Sequence, residues 1–210
     1  AAYAQRFPPG ARIGPVAVGG LNYLQALEAV GQATDAFLAD GLTVTAGDRR
    51  VPVRPTVSAS EEFAYDLYGV DPTASVDQAA ERAISQGLAA RLVRTTQGLL
   101  IGWRLPLVQT VAEDALTVTL SETFAEDENR AQSAVFSVTA SSGALTIKDE
   151  QAGERFDYAD AVARMRQQVS QLDRTPIELR RVSEQPAVTA ADLRGLEPSV
   201  KAALDRTPLT

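Results

Sequence analysis

The stretch "GGLNYLQALEAV", residues 19–30, has the pattern of a helix start, and "ERFDYADAVARM", residues 154–165, repeats it. In both, an apolar residue precedes a short polar residue and a tyrosine, and an alanine with an aliphatic residue follows two spacers later. A polar side chain such as Asn22 or Asp157 can accept a hydrogen bond from the free N–H groups of a first helical turn. The sequence therefore predicts two capped amphipathic helices, which begin after Asn22 and after Asp157.

The spacing to the next strand is also shared. Asn22 lies 20 residues before a predicted strand start at Leu42, and Asp157 lies 20 residues before another at Ile177. Two explanations stay open: duplication of one helix–strand unit, or chance likeness of two ordinary units. Under duplication, each half is an α+β unit whose helix packs on a small antiparallel sheet.

Further elements follow from apolar periodicity and turn residues. Alternating residues around a glycine turn predict hairpins in "LTVTAGDRRVPVRP", residues 42–55, and in "AVFSVTASSGALTIKDE", residues 134–150, with the second turn at Ser142-Gly143. Capping patterns predict helices from Ser60 to Tyr68 and from Ser75, with Gln78 in the capping box, to Gln86. Pro106 marks 103–108 as an edge strand. Residues 113–126 fit either a helix or a strand, and the helix is the interpretation taken.

These elements predict an α+β protein of two related modules, each a small antiparallel sheet packed by helices. The predicted N-terminal module spans residues 13–108 and the second spans 112–194. Residues 1–12 are expected to form an extended lead-in after a membrane anchor, and residues 195–210 a tail towards a further domain.

Composition excludes several classes of chemistry. The net charge of −7 disfavours a nucleic-acid partner or an anionic membrane surface, since either would require a basic face. The chain has no cysteine and no histidine. Thiol nucleophiles, thiolate zinc sites and histidine-based acid–base catalysis are therefore absent. We expect no metal, no cofactor and no catalytic residue.

Candidate ligand contacts are few. Adjacent acids occur at Glu61-Glu62, Glu113-Asp114 and Asp149-Glu150, and two carboxylates suffice for glycoside hydrolysis. Neighbouring acids point in different directions, however, so a solvated surface is the favoured interpretation. The aromatic residues that could stack on a sugar are Tyr65, Tyr68 and Trp103.

Two stretches of the chain resemble an extracellular protein family. "RIGPVAVGGLNYLQALEAV", residues 12–30, resembles the opening of the ectodomain of VanW-type proteins. The hairpin at 134–150, Gly153, the helix after Asp157, the strand 177–182 and "PAVTAADL", residues 186–193, resemble the peptidoglycan-binding domain of those proteins and of many L,D-transpeptidases. The matching motifs are patterns of small and apolar residues and contain no catalytic signature.

The resemblance implies a module of the bacterial cell envelope, tethered outside the membrane, that binds a cell-wall polymer or spaces a C-terminal domain. The transpeptidase site of that family needs cysteine and histidine, so no catalytic role carries over. Two alternatives stay open: a carboxylate-dependent glycan hydrolase, and a structural interaction domain that dimerises through an edge strand such as 103–108.

Overall fold

The computed structural model describes residues 6–58, 64–90, 104–138 and 144–204. Within these ranges helices and small, mainly antiparallel sheets combine, which confirms the predicted α+β class. The helices are α1 Tyr23–Asp40, α2 Pro72–Ala90, α3 Glu113–Phe124, α4 Tyr158–Gln171 and α5 Ala190–Leu204. The strands are β1 Arg12–Ile13, β2 Val16–Ala17, β3 Leu42–Ala46, β4 Arg49–Val53, β5 Thr56–Ser58, β6 Ala64–Asp66, β7 Tyr68–Asp71, β8 Arg104–Leu105, β9 Val108–Val111, β10 Val135–Val138, β11 Leu145–Lys148, β12 Gly153–Phe156, β13 Ile177–Glu178 and β14 Arg181–Glu184.

The chain divides into two compact units at residues that differ from the predicted module boundaries. Unit 1 comprises Ala1–Ser121 with Tyr158–Leu179, and unit 2 comprises Glu122–Asp157 with Arg180–Thr210. The difference arises because β13 pairs in parallel with β3, with Ile177 opposite Val44. The two similar helix–strand segments, α1–β3 and α4–β13, therefore contribute to one sheet instead of heading two separate sheets.

Helix α1 begins and ends where the sequence predicts. The Asn22 side chain accepts a hydrogen bond from the Gln25 N–H at 2.9 Å, and the Gln25 side chain accepts one from the Asn22 N–H at 3.1 Å. This reciprocal capping box satisfies two of the free donors of the first turn. After Asp40 the chain leaves the helix at Gly41, whose φ of +70° favours glycine.

Helix α2 begins earlier than predicted. Pro72 occupies the first helical position, where its missing N–H costs nothing, and Asp71 accepts a hydrogen bond from the Ala74 N–H at 2.9 Å. The predicted N-cap, Ser75, lies inside the helix instead. Its hydroxyl donates to the Asp71 carbonyl and accepts from the Val108 N–H at 2.8 Å. The prediction of a capping box at Ser75 and Gln78 is therefore wrong.

The prediction of a helix from Ser60 to Tyr68 is also wrong for the part of this range that the structure describes. Ala64–Asp66 forms β6, which pairs with β5, and Tyr68 opens β7, which pairs with β9. Cross-strand partners outweigh the local helix signal here. The predicted helix at 113–126 is confirmed as α3. The predicted edge strand 103–108 corresponds to β8, which pairs in parallel with β1, and to the start of β9.

Unit 2 contains the predicted second hairpin. Strands β10 and β11 pair with Val135 opposite Lys148, while the predicted turn at Ser142-Gly143 lies outside the described residues. Helix α5 packs on this hairpin, with Ala190 and Leu193 buried against Ala134. The predicted strand 177–182 divides into β13 and β14, and β14 pairs with β12.

Strand β12 is enclosed on both edges. One edge pairs with β14. On the other edge Glu154 bridges to Asn129, and Gln151, just before the strand, bridges to Gln132. The Phe156 ring at the end of β12 is buried and meets the Phe124 ring edge-on, with centroids 6.1 Å apart. The Arg181 guanidinium lies 5.0 Å over the Phe156 ring, a cation–π contact that also covers this end of the strand.

Candidate functional site

The three aromatic candidates have different positions. Tyr65 lies on β6 opposite Val57 and is 42% exposed, so its ring remains open to a ligand. Tyr68 is 2% exposed, and its ring packs edge-on against Phe37. Burial removes Tyr68 from the candidate ligand contacts, because a buried ring cannot stack on a sugar. Trp103 lies outside the described residues.

The Tyr68 hydroxyl joins two strands of unit 1. It donates to the Val53 carbonyl at 2.7 Å and accepts from the Leu42 N–H at 3.1 Å. Burial raises the pKa of Tyr68 to about 12, although the Leu42 hydrogen bond opposes the shift. Tyr68 thus fixes the start of β3 to the end of β4 and has a structural role.

The acidic pairs do not form a catalytic arrangement in the described residues. Glu113, in the first turn of α3, forms a 2.8 Å ion pair with Arg166. Glu150 accepts a hydrogen bond from the Ala190 N–H at 2.7 Å, which caps α5. Glu61-Glu62 lies outside the described residues. In each of the two described pairs, Glu113-Asp114 and Asp149-Glu150, one carboxylate is therefore engaged in a contact that stabilises the fold.

Capping of α5 predicts a loss of stability at acid pH. The Ala190 hydrogen bond lowers the pKa of Glu150, and the Thr189 hydroxyl lowers that of Asp192. A carboxyl whose pKa is lower in the folded state stabilises the fold above its ordinary pKa, and this contribution disappears as pH falls through the lowered value. We expect the melting temperature to be nearly constant from about pH 8 to 5, because no histidine titrates there, and to fall below about pH 4.

Circular dichroism melts from pH 8 to 2.5 test this expectation. Glu150→Gln should show a smaller acid-induced loss than the native chain, while Glu126→Gln, which changes an exposed acid of unit 2, should not. A transition between pH 6 and 7, or an equal acid-induced loss in Glu150→Gln and the native chain, would contradict the assignment.

One face of the sheet formed by β13, β3 and β4 carries charged and hydroxyl side chains. Along β4, Val53 is buried and Val51 half-buried, whereas Arg50 and Pro52, which alternate with them, are exposed, as is Arg49 at the start of the strand. Strands β3 and β13 alternate in the same way. We define the outer face as the side chains that this alternation places away from the buried residues, together with the exposed Arg54 that directly follows β4. Its members are Thr43, Thr45, Arg50, Pro52, Arg54 and Glu178.

The charged groups of the outer face are exposed. In the described part of the chain, the Arg50 and Arg54 guanidinium groups and the Glu178 carboxylate take part in no ion pair or hydrogen bond. Arg50 lies on β4 and Arg54 directly follows the last residue of β4, so the two residues are about 13 Å apart along an extended chain. Between them Pro52 suits this edge strand, because it has no N–H to leave unpaired. The outer face can therefore bind charged groups of a ligand from solvent.

The sequence contained part of the signal for this face. In the run "RRVPVR", residues 49–54, Val51 and Val53 alternate with Arg50, Pro52 and Arg54, which predicts these two arginines on the solvent side of a strand. The contribution of Glu178 was missed, because it depends on the pairing of β13 with β3, which places Glu178 opposite the sequence-distant Thr45. Local periodicity contains no information on such a distant partner.

Comparison of the chain with protein-family models, with curated proteins and with solved structures finds no match. Over the residues that the structure describes, no helix is long and apolar enough to cross a bilayer. The same residues contain no group of three or more acidic side chains arranged to hold a metal ion.

Proposed function

We propose that this chain is a non-catalytic module of the cell envelope, located outside the membrane, that binds a cell-wall polymer. The observation that supports the proposal is the pair of exposed, unpartnered arginines, Arg50 and Arg54, on the outer face. Guanidinium groups bind carboxylates and phosphates through paired N–H donors, and both anions occur in wall polymers. The resemblance of residues 12–30 and 134–193 to VanW-type ectodomains agrees with this assignment.

Binding at such a face is weak for each contact. An exposed ion pair contributes about 0.2–1 kcal/mol, so two arginines give little affinity for a single small anion. A wall polymer repeats its charged groups along its length, and a protein tethered beside it would bind repeatedly at high effective concentration. Weak contacts therefore suit a module that holds or spaces a longer protein along the wall.

Co-sedimentation with isolated peptidoglycan sacculi tests the proposal. The purified chain should sediment with sacculi at low salt and less so at high salt, because salt screens exposed charges. The double variant Arg50→Gln/Arg54→Gln should bind about fivefold more weakly. The matched control Arg104→Gln/Arg155→Gln removes the same charge from two other exposed arginines and should bind like the native chain.

The result also separates the competing functions. Release of soluble fragments from the sacculi would contradict the non-catalytic assignment and favour a hydrolase. No sedimentation at low salt by a folded chain would contradict wall binding altogether. An equal loss of binding in both double variants would show that net charge, and not the outer face, determines the interaction.

A further inference from the structure

Three side chains of the outer face form a row across the sheet. Arg50 on β4 lies opposite Thr45 on β3, and Thr45 lies opposite Glu178 on β13. Residues opposite one another in neighbouring strands have side chains on the same face. The row therefore presents a cation, a hydroxyl group and an anion, in that order, from one edge of the sheet to the other.

Strand spacing sets the distance between the two charges. Neighbouring strands lie about 4.8 Å apart, so the Cα atoms of Arg50 and Glu178 are about 10 Å apart. The Thr45 hydroxyl between them donates to the Ile177 carbonyl at 3.5 Å and keeps its acceptor capacity. Arg50 and Glu178 form no ion pair with each other, and both are exposed.

Opposite charges at this separation discriminate between ligands. A polyanion attracted by Arg50 would meet repulsion at Glu178, and a polycation would meet repulsion at Arg50. A ligand with a carboxylate at one end and an ammonium at the other satisfies both side chains. An extended peptide spans about 3.3–3.6 Å per residue, so about three residues separate the termini by the required distance.

We propose that the row Arg50–Thr45–Glu178 binds a short zwitterionic peptide, with its carboxylate at Arg50 and its ammonium at Glu178. This inference rests on the proposed function and specifies the ligand class of the same face: peptide segments of the wall with free amino and carboxyl groups, rather than a phosphate polymer. Arg54 lies outside the row and adds a contact to longer ligands.

Nuclear magnetic resonance titration of the ¹⁵N-labelled full chain with trialanine tests the row. Trialanine with both termini free should shift the amide signals of Thr45, Arg50 and Glu178. N-acetyl-trialanine lacks the ammonium and trialanine amide lacks the carboxylate, so each should bind about threefold more weakly. The variants Arg50→Gln and Glu178→Gln should weaken binding of free trialanine by a similar factor, whereas the control Arg104→Gln should not.

A double-mutant cycle gives the decisive comparison. Arg50→Gln should not weaken binding of trialanine amide, which has already lost the partner of Arg50. Glu178→Gln should likewise not weaken binding of N-acetyl-trialanine. Equal binding of free and blocked peptides, or an equal loss of affinity in every combination of variant and peptide, would overturn the proposal that this row binds a zwitterionic peptide. If sacculi still require Arg50 and Arg54 in that case, the proposed function stands and only the zwitterion assignment fails.

Discussion

Replacing Gly153 by alanine is expected to destabilise unit 2 by about 3 kcal/mol or more. A Cβ atom at this position would overlap the backbone nitrogen of Ala131 and the carbonyl carbon of Arg130. Both neighbours are main-chain atoms of the segment that bridges to β12, so neither can rotate away. The segment must separate from β12, and the bridges at Asn129 and Gln132 would be lost. Urea denaturation followed by circular dichroism, with hydrogen exchange of the β12 amides, measures the effect.

Gly195→Ala is the matched control in the same unit. Gly195 lies in α5, and a Cβ there meets nothing within 4 Å. Alanine in an exposed helix interior is more favourable than glycine by up to about 1 kcal/mol, so this variant should be as stable as the native chain or slightly more so. A Gly153→Ala protein with unchanged stability would show that the 129–132 segment does not lie against β12.

Replacing Gly41 by alanine is expected to destabilise unit 1 by about 3 kcal/mol. Gly41 combines a φ of +70° with a ψ of −172°, a conformation almost confined to glycine. A Cβ there would also lie 2.9 Å from the Val53 carbonyl oxygen and 3.4 Å from the Tyr68 hydroxyl. Strain and crowding therefore act together at the junction of α1, β3 and β4.

Two glycines of unit 1 separate these causes. Gly31 lies within α1 in open space, so Gly31→Ala should maintain or raise the melting temperature. Gly47 has a φ of +59°, but a Cβ added there would meet no atom within 4 Å. Gly47→Ala therefore measures only the free-energy cost of placing alanine in a positive-φ conformation. Gly41→Ala should lower the melting temperature more than Gly47→Ala. The reverse order would contradict the combined strain and crowding assigned to Gly41.

Local signals explain why much of the fold was predictable. Helix α1 carries its start at Asn22, its stop at Gly41 and its apolar stripe within 20 residues of sequence. Helix α4 likewise follows Asp157, and the apolar side of this predicted amphipathic helix is buried, at Tyr158, Ala161, Val162, Met165 and Val169. Both hairpins are made by neighbouring strands, so alternation and turn residues were sufficient to predict the described strands.

Tertiary partners explain the wrong predictions. Tyr68 belongs to β7 because its hydroxyl bonds to Val53 and Leu42 and its ring contacts Phe37, none of which is near it in sequence. Inside α2, the Ser75 hydroxyl donates to the Asp71 carbonyl and accepts from the N–H of Val108, which is distant in sequence. A helix cap and a helix interior offer a serine similar hydrogen bonds, so the local pattern was ambiguous.

The candidate site was predictable only in part. The alternation of residues 49–54 indicates exposed arginines, but the opposed charge at Glu178 requires the register of β13 on β3. The aromatic residues were predicted as ligand contacts from their residue type alone. Residue type does not distinguish the exposed Tyr65 from the buried Tyr68.

The parallel pairing of β3 with β13 also determines the order in which the chain can fold. Loop-closure entropy must be overcome before a contact across 132 residues forms, which slows folding relative to local hairpins. During synthesis β3 and β4 can pair early, but one edge of β3 keeps unpaired N–H and C=O groups until Ile177–Glu178 has emerged from the ribosome. That open edge is a template for pairing with another nascent chain. Strand β13 therefore covers the open edge of β3, and truncation before residue 177 should give an aggregation-prone product.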